Sequence, residues 1–330
     1  MLTPPADLPE SVLVAALERS WEMAVAALQY RAVGWGSHHW DAVDTAGSRW
    51  FVTADELDGK RLSGTEPLAA GFTRLYASLA AARDLRDCGR TFVVAPVPDR
   101  DGEPVTRAGD RFGVAVYPFV DGQSFHWGDS PTPEHLRGVL ELLIAVHTAP
   151  EAARRRALAD DFAVPHRDGL EVALDRSDAG ECGPYTRPVA RLLSRNAAQI
   201  RRLLVRYDDL VAQARSRPGR TVLTHGEPHP GNTMLADDGW LLIDWDTLLV
   251  APPERDLWGL DPGDGSIVDA YAEATGTTPR PGLLDLYRVR WDVTDIAAEV
   301  RRFRRPHAGT TDDDTAWELL RSLIAGIAGD

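Results

Sequence analysis

Residues 225–232 read His-Gly-Glu-Pro-His-Pro-Gly-Asn, and Ile243-Asp244-Trp245-Asp246 follows shortly after. Two prolines and two glycines within eight residues forbid a helix or a regular strand, so the first run is a rigid loop presenting polar side chains. Residues 221–224 form a short β run before it. Residues 233–235 and 240–243 form a hairpin after it, across Asp237-Asp238-Gly239, and the second strand delivers Asp244 and Asp246 at its end. The donors gathered in this way, Glu227, Asn232, Asp244 and Asp246, are hard oxygens. They suit Mg²⁺, which takes one or two carboxylates and fills its remaining positions with water and phosphate oxygens. Zinc is the competing reading of His225-x-Glu227-x-His229. Gly226 and Pro228 exclude the helix on which paired histidines converge, and no Cys-x-x-Cys exists to complete another zinc site. An Asp-x-Asp at a strand end is by itself often a turn or a cap; its place after the 227/232 pair makes it a ligand candidate.

Glu227 stands five positions before Asn232, the spacing of acid and asparagine in kinase catalytic loops. There the acid accepts the proton of a substrate hydroxyl, the asparagine oxygen binds Mg²⁺, and an aspartate one hairpin later is the second ligand. On this pattern Glu227 is the base and Asn232 and Asp244 hold the metal. Asp246 is either a further ligand or a brace for the loop. The ion would neutralise charge on a transferring phosphoryl group.

The remainder of the 330 residues has to position these groups. Helical spacing runs through 9–28. Short β runs follow at 28–31, 40–44 and 49–53, joined by glycine-containing turns that include Gly34-Trp35-Gly36-Ser37. A helix is predicted over 67–87, a strand over 92–97, and a buried strand over 112–120 that ends at Asp121-Gly122. Helices then dominate, over 133–148, 188–214, 266–274, 281–304 and 315–328. The class is α+β: a β-rich lobe over 1–120 and a mostly helical lobe over 121–330, with a hinge near 118–124 and a ligand crevice between them. A 44% apolar, 26% charged composition is that of an ordinary globular chain. Fifty acids against 36 bases give a net charge of −14, which argues against nucleic acid or an anionic membrane as partner and suits a cationic ligand. Of those bases only Lys60 is a lysine, and no Ser or Thr follows it, so a P-loop is excluded. Two cysteines, Cys88 and Cys182, give no disulfide framework and point to a reducing compartment. No apolar run approaches the ~18 residues that span a bilayer, and no basic segment leads an apolar one at the N-terminus. A cytoplasmic location is therefore expected.

Taken in order, 225–232, 243–246 and Ala251-Pro252-Pro253-Glu254-Arg255-Asp256-Leu257 resemble the aminoglycoside phosphotransferase family, a branch of the protein-kinase-like fold. Pro118-Phe119-Val120-Asp121-Gly122-Gln123 and Tyr287-Arg288-Val289-Arg290-Trp291 bring the likeness nearest to the spectinomycin phosphotransferases. The resemblance covers essentially the whole chain and is most specific over 221–258. It implies a two-lobed kinase-like fold and transfer of the γ-phosphate of ATP or GTP, with Mg²⁺, to a hydroxyl of a cationic small molecule such as an aminocyclitol. Antibiotic resistance is one role this allows, and a monomer or homodimer is expected. It further implies that His225, His229 and Asp256 support the loop. Nucleotide is expected under Gly34, Gly36 and Ser37, beside Thr53, and along the hinge at Tyr117, Phe119 and Val120, where backbone groups meet the base.

Two departures keep open a weakly active or inactive nucleotide-binding homologue, or a kinase of another metabolite alcohol. The family's acid is usually Asp, and the extra methylene of Glu227 moves the carboxylate by about an ångström, a misplacement that can cost ~10²-fold. Thr53 occupies the strand position of the family's phosphate-binding lysine. Lys60 from the following loop, an arginine, or Mg²⁺ with backbone amides remain as substitutes, and Glu66 is the candidate for the lysine's usual acidic partner. In the helical lobe, Asp292, Asp295 and Glu299 fall on one helix face and, with Trp291, are the acceptor-binding candidates. A solvated acidic face near a helix start is the alternative. The arginines at 301, 302, 304 and 305 are expected to close that helix, and His147 to be structural.

Overall fold

The structure is a computed structural model that describes residues 1–175 and 180–329. Helix α1 (Glu10–Trp21) leads into an antiparallel sheet of β1 (Val25–Arg31), β2 (Ser37–Asp44) and β3 (Arg49–Glu56). Helix α2 (Leu68–Asp87) follows, and β4 (Thr106–Ala108) and β5 (Phe112–Pro118) complete the sheet in the order β1-β2-β3-β5-β4. β5 is buried along its length except at Pro118, as a central strand must be. Two expectations fail here. The first helix does not run to residue 28: Glu22 takes a left-handed conformation (φ 54°) that closes it, and the apolar residues beyond pair as β1 with β2. Residues 92–97 do not form a strand. Pro96 and Pro98 remove the donors a strand would need, leaving a bridge from Val93 to Leu242 and one bond from Val97 N–H to Val116 O at 2.7 Å.

The chain then crosses through the two-residue β6 (Gln123–Ser124) into α3 (Pro133–His147), α4 (Arg167–Asp175) and the long α5 (Thr186–Ser216). The short β7 (Val222–Thr224) precedes the polar loop. β8 (Thr233–Ala236) and β9 (Gly239–Leu242) form the expected hairpin, and β6 pairs with β8. β10 (Leu249–Ala251) pairs with β7, and α6 (Glu254–Leu257), α7 (Ser266–Thr275), α8 (Pro281–Phe303) and α9 (Thr311–Gly329) complete the chain. Helix α4 was not predicted.

Among the described residues, three apolar cores hold these parts. One joins α1 to the sheet through Leu13, Leu17, Trp40 and Val52. A second lies among α5, α8 and α9 around Tyr207, Leu286, Ile296 and Phe303. The largest runs from Leu75, Leu79 and Leu85 of α2 to Leu143 of α3 and on to Leu223, Leu242, Trp245 and Leu248 around the polar loop. The helix next to the sheet and the loop bearing the reactive residues thus share one core. Burial on this scale, worth about 1.5–3 kcal/mol per large side chain, fixes the loop against α2.

Candidate active site

The polar loop is anchored from below. Asp256, 1% exposed, accepts from the backbone N–H of His225 (2.9 Å) and of Gly226 (2.6 Å), and its Oδ2 lies 3.0 Å from His147 Nε2. Burial alone would push its carboxyl up; the His147 bond and charge outweigh burial and hold it below the usual carboxylate range. His147, whose other nitrogen is 3.0 Å from the Tyr271 hydroxyl, is structural, as expected. His225 is fully buried and kept neutral by that burial. Its Nε2 donates to Ile243 O at 2.9 Å and its Nδ1 accepts from Glu227 N–H at 3.3 Å, so the imidazole ties the loop to the strand that ends at Asp244. Arg255 lies across Gly226: a Cβ there would fall 2.3 Å from Arg255 Nη2, and φ is 103°, so only glycine fits.

Glu227, Asn232, Asp244 and Asp246 come together at the mouth of this loop. Asn232, buried, commits its amide nitrogen to Glu227 O at 3.0 Å, which leaves the oxygen end as the available ligand. Asp244, just beyond β9, holds a left-handed backbone conformation (φ 63°), a strain that non-glycine residues rarely carry. As a whole residue it is exposed, at the mouth of the loop. Enclosure between the lobes, then the charges of Asp246 and Glu227, push its carboxyl well above the usual range. Desolvation and then Asp246 raise Glu227 to about 7. Asp246 is held low because Lys60 outweighs burial. His229 Nε2 lies 4.0 Å from Glu227 Oε2, and burial, then His225, depress that imidazole to about 4, so it is a neutral neighbour rather than a counter-ion. Among the described residues no three His, Cys, Asp or Glu side chains form a ready-made metal cage. The donor set is instead two carboxylates and an amide oxygen, which fits an ion that completes its shell with phosphate and water.

The sheet contributes the opposite wall. Thr53 and Asp55 lie two apart on β3 and so share a face. Asp55, 2% exposed, accepts from Ser37 Oγ at 2.7 Å, which ties it to the end of the Gly34–Ser37 turn, where Gly34 and Gly36 both have positive φ. Lys60 Nζ pairs with Asp55 Oδ1 at 3.0 Å and with Asp246. This lysine, one of the substitutes the sequence left open, has its amine beside Asp55 and Asp246. Asp55 was missed, although its register with Thr53 is readable in the sequence. Glu66 has no part here; it forms a two-point pair with Arg74 at 2.8 and 2.9 Å. Tyr117, 8% exposed, meets the same wall, and the charges of Asp55, Asp244 and Asp246 add to burial in raising its hydroxyl. Phe119 and Val120 continue β5 at the half-exposed hinge. The N–H of Phe119 is already bonded to Arg49 O at 3.3 Å, and the Arg49 guanidinium lies 3.5 Å from the centre of the Phe119 ring.

Helix α8 closes the third side. Trp291 lies edge-on to His229 (6.5 Å between centroids) and 5.6 Å from Trp258. Tyr287 and Arg290, from the same short motif, both reach Asp160, at 3.0 and 2.7 Å, so that part of the motif anchors the helix. Burial, then Glu227, Glu299 and Asp292, push Asp295 up to about 8, which places it within electrostatic reach of the loop. Glu299, 4% exposed, is raised to about 7 by burial and accepts from Trp35 Nε1 at 3.2 Å. Trp35, at the tip of the glycine turn, was not predicted. The arginines at the end of α8 serve neighbouring elements: Arg301 and Arg305 pair with Asp58, and Arg302 with Asp313 at 3.0 Å.

Comparison with known proteins shows what the chain as a whole is similar to. A family model described as the phosphotransferase enzyme family matches residues 28–307. Protein StrN of Streptomyces griseus is 35% identical over 250 residues, 73% of this chain and 74% of that one. Among solved structures, spectinomycin phosphotransferase APH(9)-Ia, in complex with ADP and spectinomycin, has a TM-score of 0.70 at 16% identity over 98% of each chain. Choline kinase LicA from Streptococcus pneumoniae has a TM-score of 0.61 at 13% identity, over 97% of this chain and 99% of that one. At these identities the structural likeness is one of fold.

Proposed function

Since the chain belongs to the phosphotransferase enzyme family, we propose that it transfers the γ-phosphate of ATP or GTP to a hydroxyl of a polar, cationic small molecule. One observation carries this reading: Glu227, Asn232, Asp244 and Asp246 converge between the wall formed by β3 and β5 and the acidic, tryptophan-bearing face of α8. Glu227 accepts the acceptor's hydroxyl proton. Its raised affinity for protons suits it to that step near neutral pH. Asn232 and Asp244 would hold Mg²⁺, with Asp246 beside them, and the ion would neutralise charge on the transferring phosphoryl. Residues 1–120 form the nucleotide lobe, with the phosphates under Gly34–Ser37 and the base along Tyr117–Val120. Residues 121–330 carry the catalytic loop and the acceptor.

Trp291, Asp292, Asp295 and Glu299 select a cation, because carboxyls clustered on a partly buried face repel one another until a positive ligand enters. Relatives of this fold are named for spectinomycin, choline and aminopropanol, alcohols that each carry a basic or quaternary nitrogen. The reaction takes place in the cytoplasm, where nucleotide is available. Among the described residues no helix is long and apolar enough to cross a membrane.

The test is transfer of labelled γ-phosphate from ATP and GTP to a panel of spectinomycin, other aminoglycosides, choline-like alcohols and neutral sugars. A cationic acceptor is expected to be labelled, and Asn232→Ala and Asp244→Asn to abolish the Mg²⁺-dependent signal. Labelling that survives both variants overturns the site. The second reading, a nucleotide binder without transfer, draws on Glu227 and Thr53 standing where an aspartate and a lysine are usual. Thermal stabilisation by Mg-ATP with no acceptor labelled would favour it.

A further inference from the structure

Lys60, left open above as one of three substitutes for a strand lysine, has no part in the proposed reaction as described so far. It is the one lysine of the chain, and its amine lies in the cleft rather than on the surface. Its route there is specific. After β3 the chain folds back in a tight turn, with Gly59 N–H bonded to Glu56 O (2.9 Å) and Lys60 N–H to Leu57 O (3.2 Å). The turn packs hard against α2 at Gly71, where a Cβ would lie 2.3 Å from Leu57 O, so the backbone is held close enough for the side chain to return beneath β3. The amine is 3.0 Å from Asp55 Oδ1 and paired with Asp246, and its side chain remains 21% exposed, open to the cleft.

Two features distinguish this from an ordinary buried ion pair. Asp55 also holds Ser37 at the end of the glycine turn, so the amine is tied to the same carboxylate as the turn proposed to cover phosphates. Asp246 stands two residues from Asp244, where the nucleotide's terminal phosphates are expected. A cation there faces three acidic groups, Glu227, Asp244 and Asp246, and no second lysine competes for the role. An ammonium is a compact charge on a flexible stem, able to exchange one oxyanion partner for another without losing the rest of its contacts.

We propose that Lys60, delivered from the turn behind β3, is the phosphate-binding cation of this cleft, and that it exchanges Asp246 for a nucleotide phosphate while keeping Asp55. The proposal rests on the phosphotransferase reading. It replaces the strand position at Thr53 with a lysine that arrives from outside the strand, and it gives Asp246 a counter-charge until nucleotide binds.

The uniqueness of the lysine makes the test direct. The probe is an acyl phosphate of ATP: an amine next to the phosphates attacks the acyl carbon, forms an amide and releases ATP. Peptide mass spectrometry separates an adduct at Lys60 from one at the N-terminal amine. The expected result with Mg²⁺ is an adduct at Lys60 that excess ATP suppresses at least tenfold. Lys60→Met should raise the nucleotide KM at least tenfold with little change in the acceptor KM, and adding Thr53→Lys should recover most of that loss. If an acceptor of the panel is labelled from Mg-ATP but Lys60 is not acylated, or is acylated equally with excess ATP, the proposal fails and the phosphotransferase reading stands. If Mg-ATP gives no thermal shift, both fail. The labelling uses the unaltered chain, so it holds even if Lys60→Met does not fold.

Discussion

Glu227 and the α8 carboxyls bear charges whose cost differs between the free and liganded protein, and two predictions follow from their chemistry. Replacing Glu227 by Gln keeps size and removes the base; kcat should fall about 10²-fold, the low end for general-base groups because phosphoryl transfer depends more on positioning and charge, with the nucleotide KM little changed. An unaltered kcat would take the base role from Glu227. The second prediction concerns pH. Unfolded carboxyls titrate near about 4, whereas burial and mutual repulsion bring Asp295 to about 8 and Glu299 to about 7. The folded chain therefore holds protons that the unfolded chain has released. The stability these groups contribute is present below about pH 4 and is lost as pH rises through 7 and 8. Without ligand the urea midpoint should fall between pH 6 and 9, and Glu299→Gln should flatten that fall. A cationic acceptor's Kd should tighten over the same interval, because ionised carboxyls then have a partner; a Kd independent of pH would rule out this face as the cation site. At this scale the sequence was legible where chemistry is tied to local spacing, as with 227, 232 and 244. It was less decisive where a side chain comes from elsewhere: Lys60 was one of several substitutes the sequence left open, and nothing local says that Trp35 reaches Glu299 across the two lobes.

Among the elements, the loop at 225–232 depends most on single residues. Its glycine at 226 is squeezed by Arg255, whose guanidinium donates to Thr224 Oγ1 (2.8 Å) and Thr247 O (2.8 Å) and so cannot move aside without losing buried bonds. Gly226→Ala must both adopt φ 103° and displace that arginine. A loss of about 1–3 kcal/mol from the backbone alone is expected, with activity lost in excess of stability because Glu227 is the next residue. Urea denaturation alongside transfer assays checks this; a variant as stable and active as the parent would mean that the loop is softer than its packing indicates. The proline and glycine content that identified this loop in the sequence is also what fixes it in space, so loop and hairpin were readable. The extent of the first helix and the failed strand at 92–97 were not, because each was decided by pairing: β1 took residues 25–28 for the sheet edge, and Pro96 and Pro98 denied a ladder to an otherwise apolar run.

Across the whole molecule, the sheet and the helical part are joined by charge as well as by the core around α2. Asp58, just beyond β3 and 9% exposed, pairs with Arg61 of its own loop and with Arg301 and Arg305 at the end of α8. At the other edge, Asp312 of α9 accepts from the backbone of Leu2 (2.7 Å) and Thr3 (3.2 Å). The first of these latches lies behind the turn that carries Lys60, so it sets how far β3 stands from α8. Asp58→Asn leaves three guanidinium groups together, with Glu56 near Arg305, at 3.5 Å, to offset them. Breaking a buried pair costs about 3–5 kcal/mol, and the 40% exposure of Arg305 lowers that here to about 2–3 kcal/mol. The larger effect should be geometric: a wider mean separation of the lobes, read as an increased radius of gyration in solution scattering, and a nucleotide KM raised more than the acceptor KM. The net charge of −14 gave no hint of this, since it sums over arginines already committed in pairs between elements. If Asp58→Asn changes neither the scattering nor the nucleotide KM, the cleft is held by the α2 core alone, and the arginines at the end of α8 only anchor that helix.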